Sequence, residues 1–535
     1  MKTRALLSID SRTLDSCRGN SFRAWVLSDR YLLPNEYTIY DLVKRLKTKL
    51  PSYLHDDADR WISSFSFVPG GRILRGLGAP EDTLTLFNCL ALPAPEDNLL
   101  EEGGIIDTCH RLAESLKKGC GVGFDLSKLR PEDSPLKTSA GYASGPVSFM
   151  SLYSTIVNIV QQGGTRRGAL LMSLSDSHPD IFKFINCKNN VEIVNHANLS
   201  VRMCANSLKE DVLSSVAEAA WKTGEPGILF TDNIEKDFVP ARMGYPFEST
   251  NACSEIPLPA WGVCCLGSIN LSNFVNSDGI FLIEDFRECV KFGVKFLNKI
   301  LDLDKYPFEQ SKKVSQTVRQ IGLGIMGLAH AFIKKGVTYG SDESLEFCNN
   351  FMTIAKNTAS LASRNLCQTK EDNIAEKIRI FEKEKSSYNH DLSSFNSTML
   401  SGQPTGTTSI VADTSNGIEP LFALEYERND TGTPFYVKDP VYEQYKKRRH
   451  PDIFKTAYQI PWEKRLEVQK VLQSYMDNAI SSTINLPSTA TPLTIKNVFE
   501  RSASMGLKSV TVFRSNCYRE GVLKSIDCQT GSCDV

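Results

Sequence analysis

From about residue 76 to about residue 500, helical patterns alternate with short strand-like runs, and this alternation restricts the fold more than any other feature. Phe286, Val290, Val294, Leu297 and Leu301 recur on one helical face. Leu466, Val468, Leu472, Tyr475, Met476 and Ile480 mark a second face, running into the strand-like Ser482-Thr483-Ile484-Asn485-Leu486. Strand and helix alternating over this length predict an α/β architecture on parallel strands. Ahead of it, residues 1–75 read as mostly helical, with Asp41 to Leu46 on an amphipathic turn. Gln368 to Asp391, which holds Lys383-Glu384-Lys385, reads as a solvated helix and loop. Residues 515–535 lose periodicity and read as a mobile tail. Length alone, 535 residues, suggests three or four domains. No internal repeat stands out.

Composition mainly excludes. A formal charge of −1 and a pI near 6.7 give no basic surface for nucleic acid. No apolar run approaches the ~20 residues that span a bilayer, and Met1-Lys2-Thr3-Arg4 opens no secretory segment, so a cytoplasmic protein is expected. Fifteen cysteines without regular close spacing suit reduced thiols in a reducing compartment. Cys17, Cys109, Cys120, Cys187, Cys204, Cys289, Cys348 and Cys367 read as packing residues.

Asn251-Ala252-Cys253-Ser254-Glu255 sets an amide, a thiol and a carboxylate at alternate positions. On an extended strand the three would share one face and converge on a ligand. A thiol S–H bond is comparable in strength to a sugar C–H bond, so a thiyl radical can take hydrogen from carbon and return it nearly thermoneutrally. The carboxylate can act as base on a hydroxyl and the amide can hold it without titrating. In isolation the pattern more often marks a buried structural cysteine, with Asn and Glu at a strand end.

The run Val263-Cys264-Cys265-Leu266-Gly267-Ser268-Ile269-Asn270-Leu271 follows. With Asn251 to Glu255 it resembles the core of a ribonucleotide reductase large chain. Gly70-Gly71-Arg72, Phe87-Asn88-Cys89, Gly121-Val122-Gly123-Phe124-Asp125, Ser144-Gly145-Pro146, Gly163-Gly164-Thr165-Arg166-Arg167-Gly168, His178-Pro179-Asp180, Pro404 to Ser409, Gly417-Ile418-Glu419-Pro420 and Gly506-Leu507-Lys508 continue the likeness in family order. The resemblance implies a ten-stranded α/β barrel over 76–514 with a central finger loop tipped by Cys253. The helical segment 1–75 carries no Gly-rich ATP-cone motif, and a flexible redox tail follows at 515–535.

The same resemblance implies roles. Cys253 is the thiyl that takes the 3′-hydrogen, Glu255 the base on the 3′-hydroxyl, and Asn251 its hydrogen-bonding partner. Cys89 and Cys264 become a disulfide as the 2′-hydroxyl leaves as water. Cys265 stands where the family often has Asn and reads as packing. Cys528 and Cys533 match a tail pair that reduces the buried disulfide by thiol exchange. About 15 flexible residues after Phe513 give that pair a reach of roughly 20 Å. A zinc site with Cys517 is the rival, one ligand short of the usual four. Pro404, Thr405, Gly406, Thr407, Thr408 and Ser409, with Asn88, match the substrate site, small hydroxylated residues closing backbone N–H groups around phosphate. Phe395 stands nearby where the family often has Arg. Asp107, Arg166 and Lys188 resemble a dNTP or ATP effector site at a helix-bundle homodimer interface.

The radical source reads from Val512-Phe513. Enzymes fed by a separate metal-containing subunit carry two tyrosines there, and neither Val nor Phe has a phenol to relay proton and electron. Tyr518 reads as tail rather than relay. The resemblance therefore leans to the adenosylcobalamin-dependent class, with a thioredoxin- or glutaredoxin-like reductant as partner. Two alternatives stay open: a catalytic subunit with an atypical relay and a metal-containing partner, and a non-catalytic nucleotide-binding relative. The second has no use for Cys89, Cys253, Cys264 and the tail pair.

Overall fold

The computed structural model describes residues 9–80, 84–136, 141–160, 168–189, 194–382, 393–430, 433–517 and 523–525. Its strands are β1 (Phe67–Pro69), β2 (Cys89–Ala91), β3 (Gly121–Asp125), β4 (Leu170–Ser175), β5 (Asn198–Met203), β6 (Gly227–Phe230), β7 (Phe247–Thr250), β8 (Pro257–Pro259), β9 (Leu266–Asn270), β10 (Gly322–Met326), β11 (Glu425–Asp430), β12 (Thr433–Lys438), β13 (Thr483–Leu486), β14 (Ser509–Arg514) and β15 (Leu523–Ser525).

β2 to β6 lie side by side in chain order, all parallel. Parallel neighbours need a crossover, and the helices Ile105–Lys117, Gly145–Ile159, Ile181–Asn186 and Glu210–Thr223 supply one at each step. β14 joins antiparallel to β6, and β13 lies parallel to β14, which completes a seven-stranded sheet. β9 and β10 are parallel in a second sheet, with β1 on the outer side of β9.

Two seams join these sheets. Leu90 of β2 bridges Val263, just ahead of β9, in antiparallel sense. On the other side Leu400 bridges Leu323 of β10 and Gly402 bridges Ile480, ahead of β13, both parallel. Ladder bonds hold both seams, including Cys264 N to Cys89 O at 2.9 Å and Gly402 N to Ala479 O at 3.1 Å. The seven strands, β9, β10 and the 400–402 segment thus close a ten-membered circuit of two parallel halves running against each other, and closure leaves no open edge.

The helix Ile283–Leu303 buries Phe286, Val290, Val294, Leu297 and Leu301, as its periodicity predicts, and packs on β9. The second periodic segment runs as a helix only from Trp462 to Gln473. Tyr475, Met476 and Ile480 lie beyond it, because tertiary bonds pull the chain toward the sheet. Gln473 Nε2 donates to Met476 O and Asn478 O, and the Asp477 carboxylate accepts the Met399 and Leu400 N–H groups. The charged stretch after Gln368 is less solvated than its composition suggests. Its helix Ile374–Phe381 buries Ile374 and Ile378 against Met243, whereas 383–392 lie outside the described residues. In the N-terminal segment Ile39–Lys47 starts with a Thr38–Asp41 capping box. Leu523–Ser525 of the C-terminal segment form β15, antiparallel to β11. Among the described residues no helix is long and apolar enough to cross a membrane.

β7 and β8 form a hairpin whose tip is held from both halves of the circuit. Asn198 Nδ2 in β5 donates to Ala252 O at 3.0 Å, Ala479 N to Glu255 O at 2.9 Å, and Ser401 Oγ to Glu255 O at 3.4 Å. The tip therefore lies within the ring. Its approach to β3 is so close that a Cβ on Gly123 would stand 1.9 Å from Thr250 O.

Candidate active site

Asn251 to Glu255 form a turn rather than an extended strand. Ser254 takes a left-handed φ of 65°, its N–H donates to Asn251 O at 3.0 Å, and Ile256 N donates to Asn251 Oδ1 at 3.0 Å. These bonds bury Asn251 and Glu255 and leave Cys253 exposed at the apex. The turn, not a strand pleat, gathers the three groups.

Glu255 is 2% exposed, and its Oε2 is buried without a hydrogen-bond partner among the described residues. Burial pushes its carboxyl up to about 7, against a smaller opposing effect of the Asn251 side chain. A neutral-range pKa with an unspent acceptor oxygen suits a general base.

Cys89 and Cys264 stand opposite each other across the first seam, next to the Leu90–Val263 bridge. Directly opposite residues place their Cβ atoms about 4.5–5.5 Å apart, close to the ~3.8 Å of a disulfide. Burial first, then hydrogen bonding to Cys89 and the nearby Glu255 and Cys253, raises the Cys264 thiol well above its ordinary value, so it remains an S–H donor. Both thiols sit in a small cluster with Ala91, Ala252, Ile256, Leu258 and Leu266, apart from the main core. Gly121 makes room for the pair, since a Cβ there would lie 3.0 Å from Cys89 Sγ. Consecutive strand residues face opposite ways, so Cys265 points outward, with its Sγ 3.4 Å from Leu297 O in the main core. Its expected packing role agrees with that placement.

Around the 404–409 turn, Thr405 takes a φ of 51° and its Oγ1 accepts from Gly417 N at 2.8 Å. Thr405 and Ser409 are buried, Pro404, Thr407 and Thr408 half-buried and Gly406 exposed, with nothing within 4 Å of where its Cβ would be. One side of the turn is therefore open. Asn88 stands at the foot of β2, where its carbonyl accepts from Gly121 N at 2.8 Å. Phe395 lies under the Arg319 guanidinium, 4.5 Å from its ring centre, so an arginine reaches that region from elsewhere in the chain.

On β14, Ser509 Oγ lies 3.5 Å from Ser254 O, so Ser509, Thr511 and Phe513 share the face toward the tip while Val510 and Val512 pack into the core. Phe513 is thus the one of the Val512-Phe513 pair on the side of Cys253.

Of the effector candidates, Asp107 and Lys188 are each paired with neighbours of their own. Asp107 sits in the first turn of its helix, accepting from Gly103 N and pairing with Arg111, both at 2.7 Å. Lys188 pairs with buried Glu225 at 2.6 Å. Arg166, Tyr518, Cys528 and Cys533 lie outside the described residues. No group of acidic, His and Cys side chains among the described residues is arranged to hold a metal ion. Asn198, Ser401 and Ser509, which anchor the tip, carry no sequence signal of that duty.

A family model described as the ribonucleotide reductase barrel domain matches residues 88–210 and 206–513. The chain is 30% identical over 548 positions to the vitamin B12-dependent ribonucleoside-diphosphate reductase of Thermoplasma acidophilum, covering 92% of this chain and 70% of that protein. It is 29% identical over 568 positions to the enzyme of the same name from Mycobacterium tuberculosis strain H37Rv, covering 94% and 78%. The Actinobacillus ureae class Id ribonucleotide reductase alpha subunit superposes with a TM-score of 0.76 at 17% identity, over 93% of this chain and 97% of that one, a likeness of fold.

Proposed function

The chain belongs to the ribonucleotide reductase family, as one of its large catalytic chains, and from that premise we propose that it works through a thiyl radical on Cys253 with adenosylcobalamin as radical source. As a ribonucleotide reductase it replaces the ribose 2′-hydroxyl by hydrogen. The observation that carries the residue assignment is the meeting, where the finger tip faces the first seam, of an exposed thiol, a buried carboxylate with one oxygen unpartnered among the described residues, and an opposed thiol pair.

In this reading Cys253 as thiyl takes the 3′-hydrogen atom and becomes S–H. Glu255 takes the 3′-hydroxyl proton, with Asn251 holding the carboxylate in place. The C2′–O bond then breaks, and the 2′-hydroxyl leaves as water with a proton from the Cys89–Cys264 pair. That pair gives the remaining hydrogen and two electrons to the sugar and closes as a disulfide. Cys253 returns hydrogen to C3′ and is again a thiyl, and Glu255 returns its proton to the 3′-oxygen. The sum is one ribonucleotide and one dithiol converted to one deoxynucleotide, water and one disulfide.

Adenosylcobalamin, when bound, supplies the radical by homolysis of its cobalt–carbon bond. The residues fit such a group in that the Cys253 thiol is exposed rather than packed in the core. Half-buried Thr511 and Phe513 would border that face. Phe513 offers no phenol for a relay from another subunit. The names of the two curated relatives support cobalamin dependence and a diphosphate substrate. Cys528 and Cys533 would reload the pair from a thioredoxin- or glutaredoxin-like reductant. A homodimer is favoured by Ile106, Leu152 and Ile159, exposed on the adjoining helices Ile105–Lys117 and Gly145–Ile159. A dNTP or ATP effector would bind at that interface.

The test is deoxynucleotide formation by the full chain with ribonucleoside diphosphate and dithiol, with and without adenosylcobalamin. Product only with the cofactor is expected. Product that instead needs a metal-containing second subunit would overturn the radical assignment.

Glu255 adds a pH dependence of known sign. As a base it acts deprotonated, so kcat/KM is expected to fall about tenfold per pH unit below about 7. Its contribution to stability runs oppositely. The folded state raises this carboxyl above its ordinary 4.5 and so favours the neutral form, and the associated stability is lost as pH rises through about 7. Glu255→Gln is expected to lower turnover by about 10²–10⁴ with no fall in melting temperature at pH 8. Turnover within twofold of the parent would remove Glu255 from the chemistry.

A further inference from the structure

The helix Ser21–Arg30 grips the short helix Thr408–Val411 at both ends, although nearly 400 residues separate them in sequence. At one end the hydroxyl of Tyr31, which caps Ser21–Arg30, lies 2.6 Å from Thr407 Oγ1. At the other, Arg23 Nε donates to Val411 O at 2.8 Å, with Asp413 3.8 Å from the same guanidinium. Tyr31 is 3% exposed, and its position is built. Its carbonyl accepts from Arg45 at 3.3 Å, and its ring occupies the space that a side chain at Gly71 would take, with a Cβ there 3.3 Å from Tyr31 Cε1. The Gly70-Gly71-Arg72 motif thus carries a packing requirement for this ring.

We infer that Tyr31 is a positioning residue of the substrate phosphate site, orienting the Thr407 hydroxyl toward the diphosphate. The inference rests on reading 404–409 as the phosphate loop. A threonine hydroxyl has one proton. If Thr407 spends it on the tyrosine oxygen, none is left for a ligand. If Tyr31 donates instead, Thr407 accepts from it and aims its own proton at the open side of the loop, where Gly406 leaves space. An anionic oxygen there selects the second arrangement, because each bond in a Tyr–Thr–phosphate chain polarises the next and the last is charge-assisted. The N-terminal helical segment, outside the matched barrel domain, is then part of substrate binding.

The experiment is a double-mutant cycle on the full chain, with cytidine diphosphate affinity measured by calorimetry without radical cofactor. Tyr31→Phe keeps the ring against Gly71 and removes only the hydroxyl, so its melting temperature should stay close to the parent's. It is expected to weaken cytidine diphosphate about 5- to 10-fold, in line with one lost neutral hydrogen bond. In turnover it should raise KM by a similar factor and leave kcat within about twofold. In a Thr407→Val background the same change is expected to have no further effect. An equal loss in both backgrounds, or no loss in Tyr31→Phe where Thr407→Val alone weakens binding, would overturn the role of Tyr31 and leave the loop standing. If Thr407→Val itself leaves affinity unchanged, the loop reading fails and takes this inference with it.

Discussion

Cys253→Ser is expected to abolish deoxynucleotide formation while leaving the fold and nucleotide affinity intact. The thiol is exposed at the apex of the tip turn, so replacing sulfur by oxygen disturbs no packing and should change stability by no more than about 0.5 kcal/mol. The chemistry is another matter. An alcohol O–H bond is far stronger than a thiol S–H bond, so serine can neither be converted to a radical at comparable cost nor return hydrogen to C3′ nearly thermoneutrally. A residual rate below about 10⁻³ of the parent is expected, a barrier increase of more than about 4 kcal/mol. Turnover above that level, measured as deoxynucleotide per chain under saturating cofactor and dithiol, would show that Cys253 does not carry the radical.

The second large effect is expected from Gly123→Ala, which touches no substrate. The added methyl would lie 1.9 Å from Thr250 O and 3.1 Å from Thr250 C, both main-chain atoms. β3 is held between β2 and β4 by ladder bonds, so the finger must move rather than the sheet. Restoring ordinary contact requires a shift of more than an ångström at Thr250, one residue before Asn251. A displacement of about 1 Å can cost 10²-fold in rate. The chain should remain folded, with overpacking costing about 1–3 kcal/mol, and kcat should fall at least about 100-fold. A kcat within twofold of the parent would mean that the tip's position on β3 does not set catalysis.

The residue types of the candidate site were more legible in the sequence than their geometry. Cys253, Glu255 and Cys264 stand close together in the chain, so their types and spacing could be read directly, and Cys89 followed from motif order. The path of the backbone between Asn251 and Glu255 could not, because Ser254 adopts a left-handed φ that serine rarely takes and no Gly or Pro there announces a turn. The alternation of strand and helix gave the parallel halves, but the seams are single bridges at Leu90–Val263, Leu323–Leu400 and Gly402–Ile480, too short for any periodicity. The helix over 462–473 ends where Asp477 finds main-chain partners in 399–400, a long-range bond that overrides the local pattern. Lys188 shows the opposite difficulty. A lysine in a candidate effector loop looks available, yet its ammonium is committed to Glu225. The glycines of Gly121-Val122-Gly123 were visible as a motif, whereas their reason, room for a thiol and for a carbonyl, exists only once the finger is folded against β3.

In the proposed mechanism the electrons for reduction come from Cys89 and Cys264. Its most direct test is a single turnover of the pre-reduced Cys528→Ser/Cys533→Ser chain with adenosylcobalamin and ribonucleoside diphosphate, without external dithiol, followed by disulfide mapping. One deoxynucleotide per chain and one new disulfide joining Cys89 to Cys264 are expected. Product formed with both of these thiols still reduced, or with the disulfide between other cysteines such as Cys120 or Cys265, would contradict the account.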